Sequence, residues 1–120
     1  IRLSLVGSEM CIRDRDMAAY RLALYIGGYH VAVGGAKTLV FTAGIGENSA
    51  YFRELVLQRL GALGITLDEH ANARRSSETR VISGEDSAIT VLVVPTDEER
   101  AIAEATAGLV VARRQRGARR

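Results

Sequence analysis

The chain has 120 residues, enough for one modest domain, and its 48% hydrophobic and 25% charged content is ordinary for a soluble globular protein. Its net charge of +2 is unevenly placed, because Arg113, Arg114, Arg116, Arg119 and Arg120 crowd one end and leave the rest slightly acidic. A single cysteine, Cys11, excludes an internal disulfide and a metal site built on cysteine.

No apolar run reaches transmembrane length, and the start lacks the layout of a secretory signal. With one thiol, this fits a reducing, cytoplasmic setting and no membrane partner. The arginines at the end are not interleaved with aromatic residues, and no nucleic-acid motif precedes them. Residues 113–120 are therefore expected to form a solvated, disordered tail without a nucleic-acid partner. His30 and His70 are far apart in sequence and read as surface or helix-face residues rather than ligands.

In chain order, residues 1–15 fit poorly with the rest of the chain. Val6-Gly7-Ser8 interrupts any helical pattern, and residues 3–15 resemble a translated sequencing-adapter read-through. They are expected to be a non-native leader, an expectation that long-read resequencing of the locus checks. From Asp16 onward, Ala18, Leu22, Tyr25, Ile26, Tyr29 and Val33 recur at helical spacing and form one apolar face. Gly27-Gly28 inside this helix costs about 1 kcal/mol per residue relative to alanine, so a close contact is expected there. Gly34-Gly35 ends the helix.

Residues 38–41 read as a central strand covered on both faces. The strand runs into Thr42-Ala43-Gly44-Ile45-Gly46-Glu47-Asn48-Ser49, and a helix comes next over residues 49–60. Ser49 can cap it, and Phe52, Leu55, Val56 and Leu60 supply its buried stripe. Glycines between a strand and a helix N-terminus let the backbone approach an anion, although the same G-x-G pair also serves a plain tight turn. Neither the full dinucleotide fingerprint nor a Gly-Lys-Ser/Thr phosphate loop is present.

Gly61 and Gly64 bracket the end of that helix. Residues 65–67 are a short apolar piece, and residues 68–77 a polar connection. Residues 80–83 and 89–94 are β-rich runs around turn chemistry at Gly84-Glu85-Asp86-Ser87, a possible hairpin. A last helix begins after Pro95. Thr96 and Glu99 have capping-box spacing, and Ile102, Ala105, Thr106, Leu109 and Val110 read as its inner face. Asp97, Glu98 and Glu99 in its first turn complement the helix dipole, and the same carboxylates could hold Mg²⁺ beside bound phosphates. Alternating helices and strands imply an α/β layer architecture, in which ligands sit at the carboxyl ends of strands.

The two corners, Leu39 through Ser49 and Val94-Pro95-Thr96-Asp97-Glu98-Glu99, together resemble the C-terminal part of the acetate kinase family. Asp16 through Arg21 with Tyr25-Ile26-Gly27, and Leu60 through Asp68, are similar to it as well. The resemblance spans residues 16–112. It implies a partial actin-like ATPase domain of the acetate and sugar kinase, Hsp70 and actin superfamily. It also implies reversible, Mg²⁺-dependent phosphorylation of acetate by ATP, in a full-length protein that is a homodimer. By motif, Gly44, Ile45, Gly46, Glu47 and Asn48 would line the nucleotide site. Glu98 would be the Mg²⁺ ligand, with Asp97 standing where family members commonly have asparagine. The family's transition-state arginines and histidine belong to motifs outside this chain. No catalytic residue is nominated, and the chain alone is expected to turn over no substrate. Two alternatives are a propionate or other short-carboxylate kinase, and a non-enzymatic α/β interaction module.

Overall fold

The computed structural model describes residues 3–117. Its elements in order are helix α1 (Leu3–Ala32), strand β1 (Thr38–Thr42), short helix α2 (Gly44–Asn48) and helix α3 (Ala50–Gln58). A 3-10 turn (Gly61–Leu63), helix α4 (Glu69–Ala73), strands β2 (Arg80–Val81) and β3 (Thr90–Val94) and helix α5 (Glu98–Gly117) complete it. The three strands lie in the order β1-β3-β2, with β1 parallel and β2 antiparallel to β3. This is the expected α/β arrangement, including the hairpin.

The core is built on one face of α3 and one face of the sheet. Phe52 and Val56 of α3 and Leu60 just beyond its end recur at helical spacing and are buried together with Leu57. They meet Phe41 of β1 and Val91 and Val93 of β3, which are brought to one face by the period-2 alternation of strands. Ile65, Ile82 and Ile89 extend the cluster, and Ala19 and Ala23 dock α1 onto it. An ion pair of 2.6 Å from Arg59 to Asp16 ties α3 to α1 at the rim.

Several expectations are corrected. β1 is an edge strand rather than a central one, and its outer face is open, with Val40 47% exposed. Strand alternation turns Leu39 and Phe41 to the core and Val40 away from it, and nothing among the described residues covers Val40. The docking face of α1 is Ala19, Leu22, Ala23 and Ile26, while Tyr25, Tyr29 and Val33 are exposed. Small residues carry this contact because they allow a close approach to α3. Nothing lies within 4 Å of where a side chain at Gly27 or Gly28 would begin, so the close contact expected there is absent among the described residues. On α5, residues 98–110 are exposed throughout, Ile102, Leu109 and Val110 included, so the expected inner face is not buried in this chain.

Other differences are local. α1 continues through Val6-Gly7-Ser8, so those residues do not interrupt it. α5 runs to Gly117 and takes in part of the arginine-rich end. The expectations for Ile1, Arg2, Arg119 and Arg120 lie outside the described residues. The polar connection of residues 68–77 contains α4, whose start is marked by Asp68 accepting a 2.9 Å bond from the Ala71 amide.

Gly64 closes the 3-10 turn at φ +72°, with its carbonyl accepting from the Ala88 amide at 2.8 Å. A Cβ there would meet the Ala88 side chain at 2.9 Å. Gly64→Ala is expected to cost at least about 1–2 kcal/mol for the left-handed backbone alone, with the clash adding to it. Urea unfolding followed by circular dichroism measures the loss.

Candidate functional site

Both corners lie at the same end of the sheet. β1 and β3 pair in parallel with Thr42 opposite Val94, so the two strands finish side by side. Each then turns directly into a helix. The Thr42 hydroxyl donates to the Val94 carbonyl at 2.8 Å, and the Thr96 amide donates to the Glu47 carboxylate at 3.1 Å. The glycine corner and the acidic corner are thus joined by a side chain of one and the backbone of the other.

The glycine corner is tighter than a simple loop. Gly44 through Asn48 form a helical turn of their own, α2, and the backbone breaks at Ser49 before α3 begins. Ala43 holds φ +52° and ψ 163°, a region that costs a non-glycine residue on the order of 1–3 kcal/mol. Gly44 comes next at φ +37°. The Asn48 side chain donates to the Gly44 carbonyl at 2.8 Å and closes the turn. Ile45 is 49% exposed and presents an apolar surface beside it. The Ser49 hydroxyl accepts from the Phe52 amide at 3.2 Å, as its capping position implies.

At the acidic corner the cap is Asp97, whose carboxylate accepts from the Arg100 amide at 3.0 Å. The expected Thr96–Glu99 box does not form, because the Thr96 amide is already given to Glu47. Glu98 is exposed, opens α5, and takes part in neither of the two ion pairs among the described residues. No group of three or more His, Cys, Asp or Glu is placed to hold a metal among the described residues. Mg²⁺ in general takes only one or two protein carboxylates and completes its shell with other oxygen ligands, so a single exposed carboxylate does not exclude it.

Arg53 was missed in the sequence. It is only 2% exposed and has no carboxylate partner among the described residues. Its Nη1 donates to the Gly46 and Glu47 carbonyls at 2.9 and 2.7 Å, so it holds the last carbonyls of α2. Its Nε and Nη2 donate to the Asn72 side-chain and backbone oxygens, both at 2.8 Å. Asn72 in turn donates to the Ala50 carbonyl at 3.0 Å. Burial, and then the nearby Arg80 charge, hold the Arg53 guanidinium below its ordinary value. A lowered base makes charging the folded state costly, so stability rises with pH between the lowered folded-state value and the ordinary guanidinium value. The signal for Arg53 was a cation within the apolar stripe of α3, four residues before Leu57.

A cavity of about 860 Å³ opens beside α2 and α4. Glu47, Asn48 and Arg53 line it, but Gly44, Ile45, Gly46 and Glu98 do not. The two corners therefore share a hydrogen bond and a sheet end rather than this cavity.

Adjacent parallel strands deliver a glycine turn and an acidic helix start to one sheet end, the place where α/β proteins of this class bind ligands. The profile of the acetokinase family matches residues 6–104. An acetate kinase of Arthrobacter sp. (strain FB24) is 72% identical over 110 residues, which is 92% of this chain and 28% of that protein. The crystal structure of Porphyromonas gingivalis acetate kinase superposes with a TM-score of 0.70 at 40% identity, covering 87% of this chain and 26% of that one. A propionate kinase from Francisella tularensis superposes at 0.67 and 30% identity, over 82% of this chain and 24% of its own. The chain belongs to the acetokinase family, and its fold is part of the acetate and sugar kinase, Hsp70 and actin fold. It spans about a quarter of the length of the relatives it matches.

Proposed function

We propose that this chain is the nucleotide- and Mg²⁺-binding portion of an acetate kinase. The whole enzyme transfers the terminal phosphoryl group of ATP to an acetate oxygen, giving ADP and acetyl phosphate, and runs in both directions. The observation that carries this reading is the Glu47–Thr96 hydrogen bond across the ends of β1 and β3, which sets the two corners side by side. In this reading the family portion is residues 16–112 followed by a basic tail at 113–120, and the family match from residue 6 counts against a separate leader over the whole of residues 1–15. The full-length protein is cytoplasmic and homodimeric in this proposal.

Phosphoryl transfer depends on positioning and on neutralising charge at the transferring group. In this reading Gly44, Ile45, Gly46, Glu47 and Asn48 line the nucleotide site. The α2 turn provides close backbone approach, and Ile45 an apolar surface for the base. Glu98 would hold Mg²⁺, and that ion when bound supplies charge neutralisation at the phosphate oxygens. Glu47 fixes the start of the acidic segment, so the carboxylate at Glu98 keeps its place relative to the glycine turn.

A propionate kinase reading is favoured by the Francisella neighbour and leaves the roles of these residues unchanged. Titration of Mg-ATP onto the isotopically labelled chain is expected to shift amide signals at residues 44–48 and 98. Glu98→Ala should weaken the Mg²⁺-dependent part about tenfold or more, while leaving the metal-free nucleotide shifts in place. Nucleotide without effect on residues 44–48 would overturn the assignment and favour a non-enzymatic module.

A further inference from the structure

The cavity beside α2 and α4 is lined by Arg53, Arg74, Arg75 and Arg80, with Ser76 and Ser77 between them. Glu47 is its single carboxylate, and one of that residue's oxygens is already engaged by the Thr96 amide. None of the four arginines takes part in an ion pair among the described residues. The Arg53 guanidinium is a fixed cation, because its N–H groups are tied by four hydrogen bonds to the Gly46, Glu47 and Asn72 oxygens. The Nε of Arg80 is buried and has no hydrogen-bond partner among the described residues. A buried donor left unpaired costs about 1–3 kcal/mol and calls for an ion or water that would satisfy it.

We propose that this cavity is a binding site for a small polyvalent oxyanion of the phosphate type, adjoining the glycine turn through Glu47 and Asn48 and separate from the Glu98 corner. Guanidinium groups present planar forks that match phosphate oxygens, and the two serine hydroxyls add neutral donors. Arg53 and Arg80 repel one another, and an anion bound in the cavity would offset that repulsion by its attraction to both. Burial first, and the neighbouring Arg80 charge second, lower the basicity of the Arg53 guanidinium, and an anion in the cavity would offset the second of these. The volume of about 860 Å³ is more than a single phosphate needs, so a chain of phosphates fits better than one. Glu98 and residues 44–46 do not line it, but Glu47 and Asn48 do, so the site adjoins the nucleotide site of the proposed function and shares those two residues with it.

Calorimetric titration of the full 120-residue chain with inorganic tripolyphosphate, in the absence of metal and nucleotide, tests the proposal. Saturable binding is expected, with inorganic phosphate at least tenfold weaker. Arg75→Gln with Arg80→Gln should weaken tripolyphosphate at least tenfold, whereas Glu98→Ala should leave it unchanged. Arg75 and Glu98 are exposed and Arg80 is half-buried, and circular dichroism confirms folding of each variant before titration. A second titration in saturating ATP separates the sources. Loss of tripolyphosphate binding identifies nucleotide phosphates as one occupant, and unchanged binding identifies a free polyanion, each in support of the site. Absence of binding, or binding that survives the double arginine variant or falls in Glu98→Ala, would overturn it.

Discussion

Replacing Arg53 with methionine is expected to lower the unfolding free energy by about 3 kcal/mol. Methionine keeps the apolar stem packed and removes only the guanidinium. Four hydrogen bonds disappear, two of them to Asn72 oxygens in fully buried surroundings. Each orphaned buried acceptor costs about 1–3 kcal/mol, while the Gly46 and Glu47 carbonyls are partly open to water and lose less. Removing an uncompensated buried charge returns part of this, which keeps the expected loss at the lower end of the range for a broken buried network. Hydrogen exchange should locate the effect, with amides of α2 and α4 exchanging faster relative to those of β3. A variant as stable as the parent, with α2 equally protected, would mean that Arg53 does not hold the glycine turn.

Phe52→Ala should cost about 3–5 kcal/mol, the range for deleting a buried aromatic ring. Phe52 is 4% exposed and sits where α3 meets β1 and β3, so the cavity left behind cannot collapse without moving the sheet. Small domains have a total stability of about 5–15 kcal/mol, so this single change consumes a large share of it. Ile102→Ala is the matched control. Ile102 is 67% exposed on α5, and its removal is expected to change stability by no more than about 0.5 kcal/mol. Denaturant midpoints of the two variants and the parent, at constant m-value, compare them directly. Equal losses at both positions would mean that α5 packs on the core in solution.

The contrast between Phe52 and Ile102 shows where sequence reading stops. Both sit in apolar stripes at helical spacing, and the pattern says that each helix has a sticky face. It does not say whether a surface within the same chain receives that face. α3 finds the sheet within this chain, and residues 98–110 of α5 do not. Gly27-Gly28 is the same case, because a glycine pair marks room for a close neighbour without providing one.

What was legible in the chain is what arises within a few residues. The strands ending at glycines or at Pro95, the Ser49 cap, the buried stripe of α3 and the hairpin around residues 84–87 come from local sterics, hydrogen bonding and apolar periodicity. The acetokinase motifs at both corners were legible for the same reason, since each is a short continuous string. Contacts between distant segments were decided only by folding. The Glu47–Thr96 bond spans 49 residues and the Arg53–Asn72 pair spans 19. The arginines of α3, β2 and the segment after α4 converge on one cavity because parallel pairing of β1 with β3 and antiparallel pairing of β2 fold those segments together. Charge carries no periodicity that announces such a meeting. It becomes visible only when the backbone has brought like charges to one place with no ion-pair partner among the described residues.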